Sequence, residues 1–270
     1  MLLFMRRFVV FALFVTGVVV GSGAGMVPAQ ATAAPVISSP STAIAAGAGH
    51  SCALISDGTV TCWGYNYDGE LGDGSNTDSN VPVAVTGGAL ANKTVTAIAA
   101  GAVHTCALIS DGTVTCWGFN DNGQLGDGSY TGSNVPVAVT GGALANKTVT
   151  DITAGGSHTC ALISDGTVTC WGANGYGQLG TGDFTSSNVP VAVTGGSLAD
   201  KTVTHITAGD YHTCALISDG TVTCWGNNSA GQLGDGSNTN SNVPVAVTGG
   251  ALEDKTVTQI TAGYLHTCAL

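Results

Sequence analysis

Residues 100–118 read Ala-Gly-Ala-Val-His-Thr-Cys-Ala-Leu-Ile-Ser-Asp-Gly-Thr-Val-Thr-Cys-Trp-Gly, two short runs rich in β-branched and apolar residues joined by Ser110-Asp111-Gly112. Such a pattern is a β-hairpin signal. With Ser110-Asp111-Gly112 as a three-residue loop, Gly112 takes the left-handed conformation of a type I turn with a G1 bulge, and Ile109 stands opposite Thr113. Counting outward sets Leu108 opposite Val114 and Cys106 opposite Cys116. Opposed positions on antiparallel strands lie within disulfide range, so an oxidising compartment would join that pair.

The hairpin recurs along the chain. His50, His104, His158, His212 and His266 stand 54 residues apart, as do Trp63, Trp117, Trp171 and Trp225, and Cys52, Cys106, Cys160, Cys214 and Cys268. The same count pairs Cys52 with Cys62, Cys160 with Cys170 and Cys214 with Cys224, each within its own hairpin. Two other readings of the cysteines stay open: free thiols acting as small buried hydrophobes, and zinc, for which two sulfurs and one nearby histidine leave the shell short. Cys268 has no mate before Leu270, an odd cysteine that suggests a fragment.

A unit this short cannot bury its own apolar face and must stack on its neighbours. Unit starts at Thr42, Thr96, Thr150, Thr204 and Thr258 give repeats 42–95, 96–149, 150–203 and 204–257, followed by a partial repeat 258–270. In the second unit, strands are expected near Thr96–Ala100, His104–Ser110, Thr113–Gly118 and Val135–Val139. Four short strands per unit is the content of one propeller blade. The expected fold is all-β, a β-propeller of four-stranded blades with about four blades and part of a fifth.

Ahead of the repeats, Arg6 and Arg7 precede an unbroken apolar run from Phe8 to Val20, then small residues. This is the pattern of a signal peptide over residues 1–33, with cleavage near Ala31 or Ala33 and a linker over 34–41. A membrane association would require that the leader be retained, and its apolar run is short for a bilayer span. Once the leader is removed, Lys93, Lys147, Lys201 and Lys255 are the only side-chain cations against 17 carboxylates. Nucleic acid is excluded as a partner, because phosphate binding draws on clustered Lys and Arg.

The repeated string, continued by Asn-x-x-Gly-Gln-Leu-Gly at Gly123–Gly126, Gly177–Gly180 and Gly231–Gly234, resembles the regulator of chromosome condensation repeat family. The first unit has Gly69-Glu70-Leu71-Gly72 instead. The resemblance implies a β-propeller, usually of seven blades; at this unit length seven would need about 378 residues. An open arc, an incomplete seven-bladed ring, is therefore expected. Eukaryotic members include a nuclear exchange factor for a small GTPase, and secreted bacterial relatives include an inhibitor that caps β-lactamases.

The histidine ladder is read as hydrogen bonding between blades, with a metal as the alternative, since equivalent positions in successive blades do not converge on one ion. The tryptophans are read as packing between blades, with an exposed sugar-binding row as the alternative. The Asp73–Asn80 loop lacks the spacing of a calcium hand, and the glycine-rich segments lack the strand-to-helix context of a phosphate loop. No cofactor, metal or catalytic residue is expected. Among near-identical repeats, the positions that differ are Tyr65, Tyr67, Phe119, Asp121 and Tyr176, where partner-specific contacts could sit; loop variation without selection is the plain alternative. The expected function is a secreted or cell-surface, non-enzymatic module that binds a protein or a cell-wall component, with GTPase regulation as the alternative.

Overall fold

A computed structural model of the chain describes residues 41–270. The expected leader, 1–33, lies outside the described residues, as does the expected linker except for Ser41, which opens the first strand. The strands fall into consecutive antiparallel sheets, each in simple up-and-down order. The first sheet holds β1 (Ser41–Ala46), β2 (His50–Ile55), β3 (Val60–Gly64) and β4 (Ser79–Ala84). The second holds β5 (Val95–Ala100), β6 (His104–Ile109), β7 (Val114–Gly118) and β8 (Ser133–Ala138). The third holds β9 (Val149–Ala154), β10 (His158–Ile163), β11 (Val168–Gly172) and β12 (Ser187–Ala192). The fourth holds β13 (Val203–Ala208), β14 (His212–Ile217), β15 (Val222–Gly226) and β16 (Ser241–Ala246), and a two-stranded fifth holds β17 (Ile260–Ala262) and β18 (Thr267–Ala269). These are propeller blades, and β1, β5, β9, β13 and β17 are their innermost strands, each packed on the next.

Position within the blade decides composition. The second strands β6, β10 and β14 are buried at every residue, because another blade covers each face, so their shared sequence His-Thr-Cys-Ala-Leu-Ile does not alternate between apolar and polar. The outermost strands carry Pro82, Pro136, Pro190 and Pro244. Proline has no N–H for a ladder, so it is tolerated on an edge and blunts that edge against pairing with other chains. β8 begins at Ser133, earlier than the expected Val135, because Gly118 pairs with Ser133 beyond a register shift that lengthens the outer strand.

The hairpin geometry follows the turn. Gly112 has φ 81°, Ile109 donates its N–H to the Thr113 carbonyl at 2.9 Å, and Cys106 is opposite Cys116. Disulfides join Cys52 to Cys62, Cys106 to Cys116, Cys160 to Cys170 and Cys214 to Cys224, with Cα atoms 4.0–4.1 Å apart. Cys268 is free and exposed.

The core lies in the seams between blades, and each seam is wired in the same way. His104 Nε2 is 2.8 Å from Thr159 Oγ1 of the next blade, and that hydroxyl donates to the Gln124 carbonyl at 3.0 Å. Since the threonine proton is committed to the carbonyl, Thr159 must accept from His104, which fixes the imidazole as the neutral Nε2–H form. Trp171 Nε1 donates to the same carbonyl at 2.9 Å. His50 with Thr105 and Glu70, and His158 with Thr213 and Gln178, repeat the arrangement. Trp117, Trp171 and Trp225 are fully buried in these seams, which removes the exposed tryptophan row as a reading, while Trp63 of the first blade is half-buried. The histidines bond between blades, and among the described residues no group of three or more His, Cys, Asp or Glu could hold a metal. Burial lowers the pKa of His50 and His212 to about 4 and of His104 and His158 to about 3.

Candidate functional site

Up-and-down blades have two ends, and the sequence uses them differently. At one end lie the Ser-Asp-Gly turns and the connections between blades, and here the units are copies. Asp111 accepts from the Thr113 N–H and hydroxyl, and Lys93 Nζ lies 2.5 Å from Asp111 Oδ2. Lys147 with Asp165 at 2.6 Å and Lys201 with Asp219 at 2.7 Å repeat the pair. These hydrogen bonds from lysine and threonine lower the carboxylate pKa values. Lys255 is in the equivalent connection, so every lysine of the chain belongs to this turn end.

The opposite end carries the connections from first to second strand and from third to fourth strand. In the second blade the long loop is fixed from within by Asn120, which is fully buried. Its Oδ1 accepts from the Leu125 N–H at 2.9 Å, and its Nδ2 donates to the carbonyls of Ser129 and Thr131. Asn66, Asn174 and Asn228 do the same in their blades. The loop backbone is thus held from within by side chains that recur in most blades, and the exposed positions between them are free to differ. Asp73 and Asp127 spend their carboxylates on the N–H groups of Ser75 and Ser129 in these loops.

All five sequence-selected positions lie on this loop end. Tyr65 and Tyr67 stack with centroids 6.4 Å apart, and Tyr67 is 72% exposed. Phe119 is half-buried and Asp121 exposed in the next blade. Asp121 stands close enough to Asp68 to help raise its pKa, although burial is the larger cause. Tyr67, Asp68, Asn76 and Asn134 line a 350 Å³ cleft between these two blades. Tyr176 is not part of that group; its ring meets Tyr211 of the fourth blade at 5.1 Å. The five residues therefore share a face but form two clusters, one over blades 1 and 2 and one over blades 3 to 5.

Sequence reading missed the second cluster. Tyr211 contacts Tyr264 at 6.5 Å, and Asp210 lies beside them at the mouth of a 220 Å³ axial cavity lined by residues of all five inner strands and the loops after them. The signal was present: the two residues before the ladder histidine are Ala48-Gly49, Ala102-Val103, Gly156-Ser157, Asp210-Tyr211 and Tyr264-Leu265, among the least alike positions in the repeat. His205, outside the ladder, is exposed and pairs through Nδ1 with Asp151 at 3.1 Å.

Residues 17–270 match the family described as RCC1-like domain. The ultraviolet-B receptor UVR8 of Arabidopsis thaliana is 35% identical over 227 residues, covering 84% of this chain and 50% of the receptor. Among solved structures, human WBSCR16 superposes with a TM-score of 0.77 at 28% identity, covering 86% of this chain and 58% of that one. The ectodomain of the Physcomitrella patens receptor kinase CR4 gives a TM-score of 0.54 at 27% identity, covering 86% of this chain and 49% of that one. This chain thus spans about half the length of these proteins. By its blades, its seams and this match over most of its length, the chain belongs to the RCC1-like domain family.

Proposed function

We propose that the protein is an exported, non-enzymatic binding module that holds a protein partner on its loop face. One observation carries this reading: the exposed aromatic side chains Tyr65, Tyr67, Tyr130, Tyr176, Phe184 and Tyr264 all lie in loop-end connections, whereas every lysine lies at the turn end. Exposed aromatics are costly on a surface with no partner and are enriched at protein interfaces. A partner without the repeat's symmetry must contact unlike positions, and the unlike positions are here. Export is supported by four disulfides in hairpins that close short loops, which persist in oxidising compartments, and by the likeness to a receptor-kinase ectodomain.

The test is capture from culture supernatant and from cell-wall extract by the purified chain and by Tyr67→Ala, Phe119→Ala and Tyr176→Ala variants. A ligand retained by the parent chain and by a Lys93→Ala control, but released by the loop variants, is the expected result. Equal capture by all variants would defeat the loop-face assignment. Accelerated nucleotide release from a small GTPase would favour the regulatory alternative, and capture of wall polysaccharide alone would replace the protein partner by a cell-wall component.

A further inference from the structure

Asp210 is the one charged residue at its position in the repeat; the equivalents are Ala48, Ala102, Gly156 and Tyr264. The residue is only 9% exposed. The backbone holds it firmly, since its N–H donates to the Tyr264 carbonyl at 3.2 Å and its own carbonyl accepts from the Gly156 N–H at 3.0 Å. The preceding blade makes room for it: a Cβ on Gly156 would collide with Asp210 Oδ1 and come within 2.8 Å of the Asp210 carbonyl oxygen. Alanine, which occupies this position in the first two blades, would not fit at 156. A carboxylate this buried is costly without a counter-charge. Among the described residues none is supplied, because the lysines are at the far end of the blades. Burial accordingly raises the Asp210 pKa, while hydrogen bonding from Tyr211 and Tyr264 works against the rise.

The surroundings complete a shape. Tyr176, Tyr211 and Tyr264 form a continuous aromatic wall with centroid spacings of 5.1 and 6.5 Å. Beside it the 220 Å³ axial cavity is lined, apart from Asp210 and Tyr264, by glycine and alanine alone. An open hollow of glycine and alanine accommodates an alkyl stem, an aromatic wall attracts a cation to its π-faces, and a buried carboxylate beside them fixes its head group.

We infer that Asp210, Tyr211 and Tyr264 form a binding site for a Lys or Arg side chain presented by a basic peptide segment. The inference rests on reading the loop end as the binding face, and it names the chemistry of the partner's contact there. A peptide fits better than a free small cation, because Tyr176 and Tyr264 leave exposed ring surface beside the mouth for the flanking residues. Among the described residues the site occurs once, since the matching places carry Ala48, Ala102, Gly156 and Tyr264.

The probe is a blocked heptapeptide of glycine and serine with one central arginine, compared with its citrulline analogue, titrated into the full chain at fixed ionic strength and followed by amide NMR. Saturable shifts confined to residues 208–211 and 263–265, absent with citrulline, are the expected outcome. Asp210→Asn should weaken the arginine peptide at least tenfold, whereas Asp183→Asn, an exposed carboxylate on the same face, should leave it within twofold. Equal binding by Asp210→Asn, or equal weakening by Asp183→Asn, would overturn the site in favour of diffuse charge attraction. If Asp210→Asn fails to fold, Tyr264→Leu takes its place, with a loss expected and unchanged affinity counting against the site. The two readings fail separately: a chain that captures its partner through Tyr67 or Phe119 but ignores the arginine peptide disproves the site alone.

Discussion

The seams between blades and the loop end above them are built from the same repeated unit, yet they obey opposite rules. In the seams each residue has a copy in the next blade, and its function is the copy: His104 needs Thr159, which needs the Gln124 carbonyl, which also takes Trp171. On the loop end the buried Asn120, with Gln124 and Asp127, holds the loop backbone, and the exposed residues beside them are unlike from blade to blade. Repetition marks what stacking demands, and departure from repetition marks what stacking leaves free.

The sharpest way to break this division is to empty a seam. Trp171→Ala removes a fully buried indole and one of two donors to the Gln124 carbonyl, and should destabilise the protein by about 3–5 kcal/mol. Trp63→Ala, at a half-buried position, should cost clearly less, with both variants measured by urea titration. Equal costs would mean that seam burial is not what the tryptophans supply.

Removing a hairpin clasp comes next. Cys160→Ser with Cys170→Ser should cost roughly 3 kcal/mol at most, the chain-entropy limit for so short a loop. Non-reducing peptide mapping should recover four links, each within one hairpin, and links between blades would refute the register.

The blades were legible in the sequence because one turn, Ser110-Asp111-Gly112, fixes the register of everything outward from it, and because a 54-residue period leaves little choice of architecture. The partners within a seam were not legible. His104 and Thr159 are 55 residues apart, and only the stacking geometry shows that each histidine reaches the threonine after the next ladder histidine. The Asp210 cluster was hidden differently: Tyr176 and Tyr264 lie on two different kinds of connection, and their meeting through Tyr211 is a property of how neighbouring blades lean together.

The seams also carry a pH signature. Burial holds the four interblade histidines at folded pKa values of about 3 to 4, below the ordinary imidazole value of about 6.5, so the unfolded chain binds protons that the folded chain refuses. Their contribution is complete above about pH 6.5 and is lost as pH falls towards the folded values, at up to about 1.4 kcal/mol per pH unit for each histidine. Glu70 and Asp210, whose pKa values burial raises, act in the opposite sense near the carboxylate range. Replacing His158 by Gln should flatten the fall in stability between pH 6.5 and 4.5, and an unchanged slope would place the acid sensitivity elsewhere. A smaller effect belongs to the turn. Gly112→Ala puts a side chain at φ 81° and its Cβ 2.5 Å from Thr148 Cγ2, and should cost about 1 kcal/mol or more in thermal unfolding.

The smallest expected stability effect carries the most functional weight. Tyr67→Ala and Tyr176→Ala remove exposed rings from loops whose backbones are held by Asn66 and Asn174, so stability should stay within about 0.5 kcal/mol of the parent chain. Partner capture should nonetheless fall in at least one of them, since aromatic anchors dominate binding energy at protein interfaces. The two measurements must be made on the same samples. A loop variant that loses binding and stability together would show that the loops share the work of the seams, whereas binding lost at constant stability separates the two regions as their sequences do.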